Sequence, residues 1–142
     1  MSSALLLARR FAALVDETDP LVQPTDDEIN ELERALKLRI PSALRAYFLA
    51  MGRYGGTRLV GTTTSFDQVT IMTRDARTTM ERWKQPLPDD AIVFVSHQGY
   101  DFLFVRTKEG ANPPVYRWVE GDPIKRAYKT LLEYVESLFP DI

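Results

Sequence analysis

The chain has 142 residues, 44% hydrophobic and 27% charged, the profile of one soluble globular domain with enough chain to bury a core unaided. It contains no Cys, which excludes disulfides, thiolate metal sites and a Cys nucleophile, and which suits a reducing cytoplasm. The 20 acidic and 18 basic residues leave a net charge of -2, so no global field draws the chain to nucleic acid or to an anionic membrane.

The opening, MSSALLLARRFAALVDE, has Leu6, Leu7, Phe11, Leu14 and Val15 at amphipathic spacing, and Arg9 and Arg10 interrupt its apolar run. It reads as a docked first helix, and residues 1–24 as a lead-in, because a signal peptide places its charges before a longer apolar run. Nothing approaches the ~20 apolar residues of a membrane span. The main domain is expected over residues 25–142. Thr25 and Glu28 have capping-box spacing, and Asp26 and Asp27 suit the positive end of a helix dipole. Ile29, Leu32 and Leu36 then recur at helical spacing. Pro41 stops that helix and suits the start of another, whose apolar face is Leu44, Tyr47, Phe48 and Met51 and which ends at Gly52.

Thr57 to Thr63 and Phe66 to Met72 are rich in β-branched and aromatic residues and predict strands. Arg74 to Lys84 predicts a helix with Ala76, Met80 and Trp83 inward, ended by Pro86 and Pro88. Ala91 to Val95 and Tyr100 to Arg106 predict a hairpin about His97-Gln98-Gly99. A loop over Lys108 to Pro114 leads to a strand over Val115 to Glu120. Gly121-Asp122-Pro123 turns the chain into a last helix with Ala127, Leu131, Tyr134, Val135 and Leu138 on its apolar stripe. The expected class is α+β, an antiparallel sheet flanked by helices from both ends of the chain.

Catalytic chemistry finds little support. The single His, His97, could act as a base with Asp101 as its orienter, but a lone His in a hairpin turn is more often an exposed turn residue. No nucleophile elbow, metal-ligand spacing, Walker loop or dinucleotide fingerprint is present, so no catalytic residue, cofactor or metal is assigned. Arginines from Arg34 to Arg58 interleave with Tyr47 and Tyr54, yet the acidic balance and the lack of a known module argue against nucleic acid.

The ordered set Glu28-Ile29, Leu32-Glu33, Leu36, Ile40-Pro41, Tyr47-Phe48-Leu49 and Gly52 resembles the opening signature of the SUKH (Smi/Knr-like) superfamily. The likeness continues through Trp83, Pro88 to Phe94, Gly99, Asp101 to Phe104, Pro114 to Tyr116 and the closing Tyr128 to Val135. That resemblance implies a non-enzymatic α+β domain that binds protein. In bacteria it implies an immunity protein that neutralises a cognate toxin, often a nuclease; the alternative it implies is a regulatory or scaffold domain with a cellular partner.

Charge is segregated in a way that suits this. Asp16 to Glu33 holds eight acids and no Lys or Arg, whereas Arg34 to Arg58 holds six bases and no acid. The acids are either a solvated helix face or a surface that meets a basic partner. The aromatics Tyr54, Trp83, Tyr100, Tyr116 and Trp118 are either core or interface anchors, Trp83 being the most core-like. The candidate partner-binding set is Asp26, Asp27, Glu31, Tyr54, Tyr100, Asp101 and Trp118.

Overall fold

A computed structural model describes residues 24–51 and 66–138. Among these residues four α-helices and one four-stranded antiparallel sheet form an α+β domain. The elements are α1 (Asp26–Leu36), α2 (Ser42–Met51), α3 (Val69–Arg82), β1 (Ala91–His97), β2 (Asp101–Arg106), β3 (Val115–Val119), β4 (Lys125–Tyr128) and α4 (Leu131–Leu138). The expected first helix, the strand over residues 57–63 and the turn at Gly52 lie outside the described residues.

Helix α1 begins at the capping box read from sequence. Thr25 Oγ1 accepts from Glu28 N at 3.2 Å, and Glu28 Oε1 accepts from Thr25 N at 3.0 Å. Lys37 ends the helix in the left-handed region at φ 57°. The tight link to α2 is tied by Glu33, whose carbonyl accepts from Leu38 N and whose carboxylate accepts from Ile40 N at 2.9 Å. Arg45 then staples the two helices, donating to Asn30 Oδ1 at 2.8 Å, to Glu33 Oε1 at 3.0 Å and to Asp26 Oδ1 at 3.3 Å.

The sheet order is β1-β2-β3-β4, each pair antiparallel. The β1–β2 hairpin turns through Gln98 and Gly99, both at positive φ (53° and 78°), as primed turns need. A bulge between Val93 and Val95 rotates Phe94 into an aromatic cluster. There Tyr47 of α2 and Tyr134 of α4 meet the Phe94 ring edge-to-face, with centroids 5.3 and 5.7 Å away. Burial pushes both tyrosine hydroxyls above their ordinary pKa. The loop before β3 is a second hub: Ala111 O accepts from Ala43 N, Pro113 O from Leu131 N, and Asn112 Oδ1 from Leu132 N.

Two expectations fail. Phe66 to Met72 is a short 3-10 turn (Phe66–Gln68) running into α3, not a strand. Its β-branched residues suggested extension, but Val69, Met72, Thr73, Ala76 and Met80 recur at helical spacing, and all are buried. Residues Lys125–Tyr128 pair with β3 as the edge strand, so Ala127 is an exposed strand residue, not part of the last helix. The signal for the later start was Thr130 with Glu133: Thr130 Oγ1 accepts from Glu133 N at 3.1 Å, one turn into α4.

Helix α3 is fastened to β1 by a side chain. Thr73, nearly buried, accepts from Val93 N at 3.0 Å through its hydroxyl, which also lies 3.5 Å from Val93 O. This hydroxyl satisfies the Val93 N–H, one backbone donor that the strand would otherwise leave unpaired.

Candidate functional site

Hydrogen bonds tie the hairpin end of the sheet together. Asp101 opens β2 and forms a two-toothed pair with Arg117 of β3, at 3.0 and 2.7 Å. Such forks fix geometry as well as adding energy. The Asp101 hydrogen bonds raise the Arg117 guanidinium pKa further, against some loss from burial. Tyr100 is held through its backbone: its N–H reaches His97 O at 3.3 Å and its carbonyl accepts from Glu120 N at 2.9 Å. The residue is 38% exposed, and its ring stands edge-on to His97 at 5.7 Å. A large side chain is thus shown to solvent on a backbone that cannot easily yield.

Beside this tip, α3 and the hairpin enclose an open groove of about 470 Å³. One wall is the α3 stripe Ile71, Arg74, Asp75, Thr78 and Arg82. The other includes Ser96, Gly99 and Phe102. Ile71 is 40% exposed. A third network anchors the far end of the hairpin. Asp90, nearly buried, accepts from Arg106 Nε at 2.9 Å and from Lys108 N at 3.2 Å. Burial pushes its carboxyl up, but the Arg106 hydrogen bond, the Lys108 N–H and the guanidinium charge outweigh that and hold it below the usual carboxylate range.

The residues singled out from sequence are distributed over two surfaces and the core. Tyr100 and Asp101 share the hairpin tip. Asp26, Asp27 and Glu31 lie exposed on α1, with Asp26 engaged by Arg45 and Asp27 and Glu31 one turn apart. No hydrogen bond or ion pair among the described residues joins these acids to the hairpin. Tyr54 lies outside the described residues.

The two tryptophans exchange the roles expected of them. Trp118 is 0% exposed and stacks on Phe102 at 5.7 Å with planes 12° apart, so it is a core residue and no anchor. It faces the same side of the sheet as Phe102, its register partner, and both side chains are buried. Trp83 is 46% exposed, because α3 ends at Arg82 and the chain leaves the helical direction before the ring can follow Met80 inward. Lys84 at φ 59° completes that departure. Ile71 was missed because the strand expected over 66–72 hid the first turn of α3; Arg74 and Arg82 fell on a helix that was expected, but no local pattern set them against the hairpin.

The described residues bring no three His, Asp or Glu side chains together as a metal site, and no described helix is long and apolar enough to cross a membrane. His97 ends β1 half-buried, with Asp101 as its register partner, and the Asp101 carboxylate is directed to Arg117. The arrangement is that of a surface built to hold shape. Comparison with known proteins found a match over residues 8–140 to the SUKH_5 family, described as SMI1-KNR4 cell-wall. No curated protein matched the chain.

Proposed function

The chain belongs to the SUKH superfamily, in its SMI1-KNR4 family, and on that footing we propose that it is a non-enzymatic, cytoplasmic immunity protein that binds and neutralises a cognate bacterial toxin. The observation that carries this reading is the braced hairpin tip. Tyr100 is presented to solvent on a backbone fixed by His97 and Glu120, beside a carboxylate locked to Arg117. Rigid aromatic anchors of this kind lose little entropy on binding and are common hot spots. Neutralisation is steric: the domain covers the toxin's active site or substrate path and carries out no bond chemistry. The exposed acids Asp27 and Glu31 of α1 offer a second contact for a basic toxin, acting mainly on the rate of encounter.

The test is growth. Cells expressing the C-terminal domain of the protein encoded by the neighbouring gene should die, should survive when the chain is co-expressed, and should die again with Tyr100→Ala. Survival with Tyr100→Ala at equal protein level would remove the hairpin from the account, and death with the wild-type chain would remove the immunity reading itself. The family's description as cell-wall supports a second reading, a regulatory domain with a partner in wall synthesis. Under it, deletion of the chain would alter wall composition in cells that carry no toxin.

A further inference from the structure

The groove between α3 and the β1–β2 hairpin has a charge pattern that selects its occupant. Arg74 and Arg82 lie eight residues apart on one face of α3, about 12 Å along the axis at 1.5 Å per residue. Ile71 stands exposed one turn before Arg74. Arg82 makes no ion pair among the described residues. Arg74 has only a long contact to its neighbour Asp75, 3.9 Å between two exposed side chains, which costs little to break. Asp75 is the single carboxylate in the wall, and it sits about 10 Å along the helix from Arg82.

We infer that this groove seats an extended acidic segment of the partner protein, with an apolar side chain on Ile71, a first carboxylate at Arg74 and a second at Arg82. An extended strand rises about 3.3 Å per residue, so carboxylates four residues apart span about 13 Å, close to the spacing of the Arg74 and Arg82 backbone positions along α3. Side chains at even spacing along such a strand share one face, so the apolar residue two positions before the first carboxylate reaches Ile71. The two walls are joined by the Thr73 bond from α3 to β1, and the hairpin is tied to β3 by the Asp101–Arg117 fork. The surface is distinct from the acidic α1 face and of opposite character; it deepens the proposed function by naming what the partner must supply.

The probe is the synthetic peptide acetyl-Gly-Phe-Gly-Glu-Gly-Thr-Gly-Glu-Gly-amide, titrated into the isotope-labelled full chain and followed by amide NMR. The expected result is saturable shifts at Ile71, Thr78, Arg82 and Gly99, weakened on the order of tenfold by Arg82→Glu and abolished by replacing both peptide Glu with Lys. Asp75→Asn should tighten binding, a gain that misfolding cannot imitate. Binding should fall steeply between low salt and 0.5 M salt. Shifts mapping elsewhere, equal binding of the Lys peptide, or no tightening by Asp75→Asn would overturn the inference. The growth test keeps the two claims apart: rescue by wild type and by Arg74→Glu/Arg82→Glu alike discards the groove and keeps immunity, while peptide binding without rescue keeps the groove and discards immunity.

Discussion

Thr73→Val tests how α3 is fastened to the sheet. The substitution preserves shape and removes only the hydroxyl, which is the partner of Val93 N at 3.0 Å in a buried setting. The contact to Val93 O, at 3.5 Å, is too long to count for much. One buried backbone donor is therefore left unsatisfied, which costs about 1–3 kcal/mol. Losing the hydroxyl's own desolvation cost recovers part of this, so a net loss of about 2 kcal/mol is expected. With a urea slope of about 2 kcal/mol per molar, the unfolding midpoint should fall by about 1 M. Thr73→Ser keeps the hydroxyl and should recover more than half of the loss. A Val variant as stable as wild type would refute the role given to this side chain in fastening α3 to β1.

The two tryptophans give a direct contrast. Trp118→Ala empties a fully buried site stacked on Phe102 and should cost about 3–5 kcal/mol in urea unfolding, whereas Trp83→Ala should stay within about 0.5 kcal/mol. Asp90→Asn removes the buried carboxylate bonded to Arg106 and Lys108 and should cost about 2 kcal/mol at pH 7. Because the folded carboxyl lies below its ordinary value, its contribution is present above the unfolded pKa of about 4 and fades as pH falls through the folded value. The gap between wild type and Asp90→Asn should thus narrow below pH 4 in acid titrations of stability; a constant gap would mean the charge is not what matters. Arg45→Ala should lower stability by about 1–2 kcal/mol through its part-buried bonds to Asn30 and Glu33, and a double-mutant cycle with Asp26→Ala should give less than about 0.5 kcal/mol for that exposed pair.

What the sequence disclosed follows from how local its signals are. Thr25 and Glu28 announced α1 because a capping box is a contact three residues long, and Gln98-Gly99 announced the hairpin because positive φ selects its residues. The start of α3 was hidden because Val69, Thr70 and Ile71 have strand propensity, and only burial of Val69, Met72 and Ala76 against the rest of the fold decides for helix. Edge strand β4 was read as helix because Ala127 falls on the stripe of the helix that follows it. The surface was harder still. Whether Trp83 or Trp118 faces solvent depends on where α3 ends and on what covers the sheet, and neither is written in the neighbouring residues. The Asp101–Arg117 and Arg45–Asn30 pairs join residues 16 and 15 positions apart, beyond any local pattern.

The central claim is that this domain acts by holding a protein partner. The most direct measurement is calorimetry of the purified chain with the purified C-terminal domain of the protein encoded by the neighbouring gene, the toxin under this account, run with wild type and with Tyr100→Ala. The account predicts a saturable complex of defined stoichiometry that abolishes the toxin's activity, with affinity lowered at least tenfold by Tyr100→Ala, equivalent to about 1.4 kcal/mol or more. The absence of heat and of a complex at micromolar concentrations, with the toxin left fully active, would contradict it.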